Sequence, residues 1–410
     1  MNDLSVLFIS GYCSAQKYEW ILSLRNSPGL DPSQRMFKAV IEGLRYHGCD
    51  VTCISALPMG TSNSSKELRY FKRSEETVDE IKFIYPAFRI GRIKRLWDLY
   101  KNTKQEVKRW LQDTQGKKRV VICDSLLVMC TGIARKISQK HKLKVFAYVT
   151  DYPSMATNIK RRKVSFTKRI LQYLFDKYAD NDLKKYDGYI LVAEGLKDLI
   201  KIKKQPYVII EDIISIPKDI LLKKEVDNDK FIIVYGGALC ERFGINKLVD
   251  AISLIHNNKV RLYFYGSGES TNYINTISKR DARIKYCGLV SFDELQKIQR
   301  NASLLINPRP SDEIFAAYSF PSKTLSYMLT GTPVLSTKIS GIPTSYQPYL
   351  YWFDKEDVIS MAKKIEEIME IPLDELKAKG HKALEYAINE KNEITQSFKL
   401  IKFIEGVING

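Results

Sequence analysis

The stretch that decides the fold runs from Asn307 to Pro343, NPRPSDEIFAAYSFPSKTLSYMLTGTPVLSTKISGIP. The apolar run Ala302 to Asn307 that leads into it reads as a buried strand, and a Pro-punctuated polar loop follows. Phe320-Pro321-Ser322-Lys323 then opens a helix, and the turn Gly331-Thr332-Pro333 leads into a second buried strand, Val334 to Ser336. Strand, loop, helix and strand in this order make an α/β unit whose polar groups sit in the loop and at the helix start. In open α/β sheets ligands bind beyond the carboxyl ends of the strands, and a helix N-terminus favours anions such as a diphosphate. The residues alone point to a phosphate-bearing ligand.

Upstream, the same alternation repeats. Phe231 to Tyr235 reads as a strand, Gly236-Gly237 as a tight turn, and Asn246 to His256 as a helix with Leu248, Ala251, Ile252 and Ile255 on one face. The strand Val260 to Tyr265, the loop Gly266-Ser267-Gly268-Glu269, a helix near 270–280, the strand Ile284 to Cys287 and the helix Phe292 to Arg300 complete the set. Glycine turns after strands let a ligand approach the backbone closely, although either one alone is also what a plain βα turn requires. Together with Ser322-Lys323-Thr324 they are expected to open on one sheet edge.

The N-terminal half is organised alike. The strand Leu4 to Ser10 is followed by a loop from Gly11 to Asp31, a helix from Ser33 to His47 stopped by Gly48, and the strand Val51 to Ser55. Residues 56–80 read as a Ser-rich loop and 81–85 as a short strand. Further strands at Val120 to Cys123, Leu143 to Val149 and Gly188 to Val192 alternate with helices, which indicates a mainly parallel sheet. The pattern lapses into a polar connection at 214–230. The expected domains are therefore 1–213 and 231–390, with a last helix over 391–410 packing across both.

At 410 residues the chain exceeds what one hydrophobic core serves, in keeping with two domains. Its net charge of +18 is one-sided: residues 1–213 hold 39 Lys+Arg and 23 Asp+Glu, 39 − 23 = +16, and the remainder holds 26 and 24, 26 − 24 = +2. Two segments concentrate it. From Ile93 to Gln112 apolar positions alternate with Lys and Arg; from Lys160 to Lys185 a stripe of Val164, Ile170, Leu171, Leu174, Phe175 and Tyr178 has a cationic start. Either is a solvated face of a helix packed on the sheet or a face for an anionic membrane surface. No nucleic-acid-binding motif accompanies the charge.

No stretch of about 18 apolar residues spans a bilayer, and the first residues lack a basic leader, so a cytoplasmic protein is expected. The seven cysteines form no CxxC pair, which favours reduced thiols over disulfides or zinc ligands. Two Asp-Asn-Asp triplets, 180–182 and 227–229, fall within a basic helix and a linker and are not read as metal sites.

The segments 235–252, 261–270, 284–310 and 320–335, in their order and spacing, resemble the C-terminal domain of glycosyltransferase family 4, group 1. They are most similar to its bacterial branch that builds capsular, O-antigen and exopolysaccharide repeat units. The resemblance implies an α/β, GT-B architecture: two Rossmann-like domains facing a central cleft, a nucleotide-sugar donor in the C-terminal one and the acceptor in the N-terminal one. It implies a retaining, metal-independent hexosyltransferase that uses no cofactor, the nucleotide sugar being a substrate, with a UDP-sugar favoured. The partners implied are a lipid-linked saccharide acceptor and the inner face of the plasma membrane.

Carried over residue by residue, the resemblance assigns the donor side to Gly236, Gly237, Gly266, Gly268, Leu289, Val290, Ser322 and Thr324, with Lys323 supplying charge to the diphosphate. The family's Arg after the first-strand glycine and Lys before a later glycine are here Gly237 and Phe243, with Arg242 as the neighbouring cation. The family's two glutamates, eight residues apart, fall on Tyr318 and Ser326. Arg309 and Glu313 are the nearest charged residues to contact the sugar. On the acceptor side stand Gly11, Asp124 and Asp151, the last placed to orient a hydroxyl or act as base. Two other readings remain open: a non-catalytic glycosyltransferase-like subunit, motivated by Ser326 and Tyr318, and a nucleotide-sugar epimerase of the same fold.

Overall fold

The computed structural model describes residues 4–25, 32–59, 69–158, 166–216 and 229–410. The chain divides into two compact units, 1–215 with 392–410 and 216–391. Most of the polar connection at 214–230, the first residues of the basic segment from Lys160, and most of the second Asp-Asn-Asp triplet lie outside the described residues.

In the first unit β1 (Leu4–Ser10) runs into α1 (Ala15–Ser23) and α2 (Pro32–Tyr46), then β2 (Asp50–Ser55). β3 (Tyr70–Phe71), β4 (Ser74–Val78), β5 (Ile81–Tyr85), β6 (Phe88–Arg89) and the long α3 (Arg92–Asp113) follow. β7 (Lys118–Asp124), α4 (Val128–Lys140), β8 (Val145–Val149), α5 (Pro153–Asn158), α6 (Phe166–Leu183), β9 (Gly188–Leu191), α7 (Leu196–Ile200) and β10 (Tyr207–Ile209) complete it. One sheet takes the order β10-β9-β8-β7-β1-β2-β5-β4 and is parallel except for its edge strand β4. β1 is buried along its whole length because it is central and covered on both faces, with Val6 paired to Val51 and Val120.

Two readings are corrected. The loop expected from Gly11 to Asp31 contains α1, whose N-cap Ser14 accepts from the Lys17 amide. Only Ile21 of α1 is buried, so no apolar stripe announced it. The loop expected at 56–80 contains β4, which forms a hairpin with β5 through Asp79 and Glu80. Both turn residues have positive φ, 49° and 63°, a conformation ordinarily signalled by Asn-Gly rather than Asp-Glu.

The second unit repeats the plan: β11 (Phe231–Gly236), α8 (Ile245–Leu254), β12 (Val260–Tyr265), α9 (Thr271–Ser278), β13 (Ile284–Tyr286), α10 (Phe292–Arg300), β14 (Leu304–Asn307), α11 (Ser322–Met328), β15 (Val334–Ser336), β16 (Tyr351–Trp352), α12 (Val358–Met369) and α13 (Leu373–Glu390). Its six strands are all parallel, in the order β13-β12-β11-β14-β15-β16. Leu248, Ile252, Leu262, Phe264 and Ile306 build its core. α14 (Glu393–Asn409), capped by Asn392, returns to the first unit and packs on α2 and beside β10. Among the described residues no helix is long and apolar enough to cross a membrane.

Candidate functional site

The second sheet changes its direction of growth between β11 and β14, since β12 and β13 extend one way and β15 and β16 the other. Beyond the carboxyl ends of such a strand pair the flanking loops part and leave a crevice. Gly236 ends β11 and Asn307 ends β14 at this point.

Lys323, in the first turn of α11, reaches back to β11. Its Nζ donates to the Tyr235 hydroxyl, which in turn donates to the Ala238 carbonyl at 2.9 Å. The same ammonium stands 3.9 Å from the Tyr235 ring centroid and 5.7 Å from that of Phe243. Gly237 makes room for it: a Cβ there would lie 2.3 Å from Lys323 Cε. Gly237 also has φ of +134°, and a Cβ on Gly266 would fall 1.8 Å from the Gly237 carbonyl oxygen. These two glycines are thus required by the packing of one turn against the other and against Lys323, before any ligand is considered. Although part of the Lys323 chain is accessible, its ammonium is enclosed, and burial followed by repulsion from Arg309 pushes its pKa down to about 7.

Three cations converge on one phenyl ring. The guanidinium carbons of Arg242 and Arg309 lie 5.0 and 5.9 Å from the Phe243 centroid, and Lys323 Nζ completes the set. Arg309 also covers Phe315 at 4.2 Å and donates to Ser319 Oγ at 2.7 Å. Among the described residues the contacts of Lys323 and Arg242 are with the Tyr235 hydroxyl and with aromatic rings. Like charges held close together are stabilised when an anion enters between them.

The other donor-side residues divide. Ser322 is exposed at the helix start, but Thr324 is turned inward, its hydroxyl accepting from Asn307 Nδ2 at 3.4 Å, so it fastens α11 to β14. α11 has only seven residues and the Thr324 amide is given to the Pro321 carbonyl, so side-chain charge outweighs the helix dipole here. Ser326, half-buried, follows Lys323 by one turn and shares its face. Tyr318 is half-buried just before α11, and Glu313 caps a short 3₁₀ turn, Ile314–Ala317. Gly268 packs under Leu239, while Leu289 and Val290 follow Gly288, with Leu289 68% exposed. Sequence reasoning missed Tyr235, Phe243 and Phe315 as the walls that hold the cations. It also missed Tyr327, whose buried hydroxyl accepts from the Gly236 amide at 3.0 Å. An aromatic within an otherwise aliphatic strand end was the available signal.

In the first unit Gly11 and Asp151 follow β1 and β8 and Asp124 ends β7, three neighbouring strands, all at their carboxyl ends. Asp124 is buried and accepts from the Leu126 amide at 3.0 Å, whereas Asp151 is exposed. Burial, and then the negative charge of Asp151, raise the Asp124 pKa to about 7 despite that hydrogen bond. The Gly11 carbonyl is held by Gln34 Nε2 at 2.7 Å. Unforeseen at this edge is Asp212, just beyond β10, likewise pushed up to about 7 by burial. The hydroxyls of Ser125 and Tyr148 are buried without a hydrogen-bond partner among the described residues.

Residues 230–370 match the family described as glycosyl transferases group 1. Over these residues the second unit is similar to that family. A comparison with curated proteins finds no sequence match. The whole chain is similar in structure to a glycosyltransferase from Rickettsia africae (16% identity, TM-score 0.66, 100% of this chain and 99% of that one). It is also similar to the catalytic domain of starch synthase IV from Arabidopsis thaliana bound to ADP and acarbose (10%, 0.65, 99% and 100%). A third likeness is to HepE from Anabaena in complex with UDP (10%, 0.61, 98% and 100%). The fold is GT-B. In GT-B terms the first unit is the N-terminal Rossmann-like domain and the second the C-terminal one.

Proposed function

We propose that the protein is a retaining, metal-independent glycosyltransferase that moves a sugar from a nucleotide diphosphate sugar, a UDP-sugar by preference, to a lipid-linked saccharide acceptor. Its setting in this reading is bacterial surface polysaccharide synthesis at the inner face of the plasma membrane. The observation that carries the donor half is the convergence of Arg242, Arg309 and Lys323 on Phe243 at the switch point of the second unit. As the bond from the anomeric carbon to the leaving diphosphate breaks, negative charge grows on the phosphate oxygens. Lys323 and Arg242 meet that charge in an enclosed setting where it is worth far more than in water. A diphosphate beside Lys323 also restores the proton that burial disfavours.

For the acceptor half, Asp151 orients the attacking hydroxyl and Asp124, with its raised pKa, stands next to it as a proton acceptor near neutral pH. The basic N-terminal half suits an acceptor whose lipid phosphate lies in an anionic bilayer. UDP is preferred to ADP on the strength of the resemblance to the polysaccharide branch, and one of the similar structures holds UDP. Titration calorimetry with UDP-, GDP-, dTDP- and ADP-sugars in the presence of EDTA tests the reading: one diphosphate sugar is expected to bind, and binding of none sinks it. The absence of glutamate at 318 and 326 favours a second reading, a non-catalytic subunit that binds donor or glycan, which would bind a nucleotide sugar without turning it over.

A further inference from the structure

Helix α6 buries Ala179 and Leu183 yet carries apolar residues on its outside as well. Its inward face carries Asp176 and Asp182, both buried, with Asp182 paired to Arg135 of α4 and Asp176 accepting from Gln172 at 2.7 Å. Its outward face carries Ile170, Leu171, Tyr173, Leu174 and Tyr178, between 41% and 65% exposed. A helix packed on a sheet ordinarily turns its apolar stripe inward, and an apolar surface left outside marks an interaction site.

α3, which like α6 packs on α4, buries Leu99, Val107, Trp110 and Leu111 but leaves apolar residues outside at its start. Glu106 is buried and receives Arg73 and Arg109, while Ile93 and Trp97 are 80% and 61% exposed. Both helices expose cations: Lys94, Lys101, Lys104 and Lys108 on α3 and Arg169 and Lys177 on α6. The outer surface is therefore at once apolar and positive. Apart from Tyr178, the exposed apolar residues belong to the first halves of the two helices. Those halves lie toward the carboxyl edge of the sheet, where Asp124 and Asp151 stand, because connecting helices run back against their strands.

We infer that the outward face of α6, continued by the start of α3, is the surface on which the protein docks to an anionic lipid bilayer. The inference rests on the lipid-linked acceptor proposed above and names where that acceptor's membrane meets the protein. Half-exposed aliphatic and aromatic side chains enter the boundary between headgroups and acyl chains while the surrounding Lys and Arg meet lipid phosphates. A second copy of the chain would bring like charge against like charge, and a nucleic-acid backbone offers nothing to Leu171 and Leu174.

The test is sedimentation of the full-length protein with phosphatidylglycerol-containing vesicles and with pure phosphatidylcholine vesicles. The wild type is expected to bind the former far more strongly. Leu171→Gln/Leu174→Gln and Arg169→Gln/Lys177→Gln are each expected to weaken that binding about tenfold or more, with nucleotide-sugar binding, which reports a folded protein, unchanged. The inference is overturned if the wild type ignores anionic vesicles, if the leucine variant binds them like the wild type, or if that variant instead abolishes a dimer or DNA binding. Vesicle binding without any donor binding overturns the transferase reading and leaves the docking surface standing; donor binding without vesicle binding does the reverse.

Discussion

Two parallel sheets in this chain end in edges of opposite charge. Beyond β11 and β14 of the second unit stand Arg242, Arg309 and Lys323, and beyond β7, β8 and β10 of the first stand Asp124, Asp151 and Asp212. Net charge runs the other way, +16 in residues 1–213 and +2 in the rest, from 39 − 23 and 26 − 24. The excess cations of the first unit lie on the exposed surfaces of helices such as α3 and α6, not on its strand ends. Bulk charge therefore describes what a surface attracts, while the few charges at strand ends describe what a site binds.

The contrast breaks first at Lys323. Lys323→Ala is expected to lower donor affinity or transfer by about 10²- to 10³-fold, the scale on which a single oriented charge donor matters. Asp124→Asn should leave donor affinity unchanged in the same calorimetric assay. Equal losses in both variants would mean that the two edges do not divide donor from acceptor.

The two edges should also respond to pH with opposite sign. The Lys323 pKa is lowered to about 7 from an ordinary value near 10.5, so the unfolded chain binds more protons between those values and stability rises from about pH 7 to pH 10. Asp124 is raised to about 7 from an ordinary 3.8, so the folded chain binds more protons and stability falls from about pH 4 to pH 7. In melting curves recorded across pH, Lys323→Met should flatten the upper window and Asp124→Asn the lower one. A variant that flattens the other window would assign these titrations wrongly.

The smallest effect belongs to Ser326→Glu. Sharing a helix face with Lys323, a carboxylate there is expected to improve donor affinity several-fold through hydrogen bonds to donor hydroxyls, read as a lower KM with transfer retained. A gain in affinity with no transfer in either protein would support the non-catalytic reading.

Much of this was legible beforehand, for stated reasons. The α/β alternation, the parallel strands and the glycine turns at 236–237 and 266–268 follow from periodicity and from the conformations that glycine alone adopts freely. Ser322-Lys323-Thr324 was singled out as a unit, yet its members do different things: Ser322 faces out, Lys323 reaches Tyr235 and Thr324 ties α11 to β14. Three successive residues on a helix point in three directions, and spacing alone does not say which of them meets the site. The hairpin at Asp79-Glu80 escaped because its turn uses residues that rarely adopt positive φ.

What the sequence by itself determined is the set of elements, their parallel order and the existence of an apolar stripe on α6, because each depends on local spacing. Which way that stripe faces was decided by tertiary structure alone. Asp176, Ala179 and Leu183 are buried and Asp182 pairs with Arg135, while Ile170, Leu171 and Leu174 are left outside. Likewise Arg242, Arg309 and Lys323 are up to 81 positions apart (323 − 242), and only the packing around Phe243 brings them together. Periodicity fixes a face but not its partner; the partner comes from contacts distant in the chain.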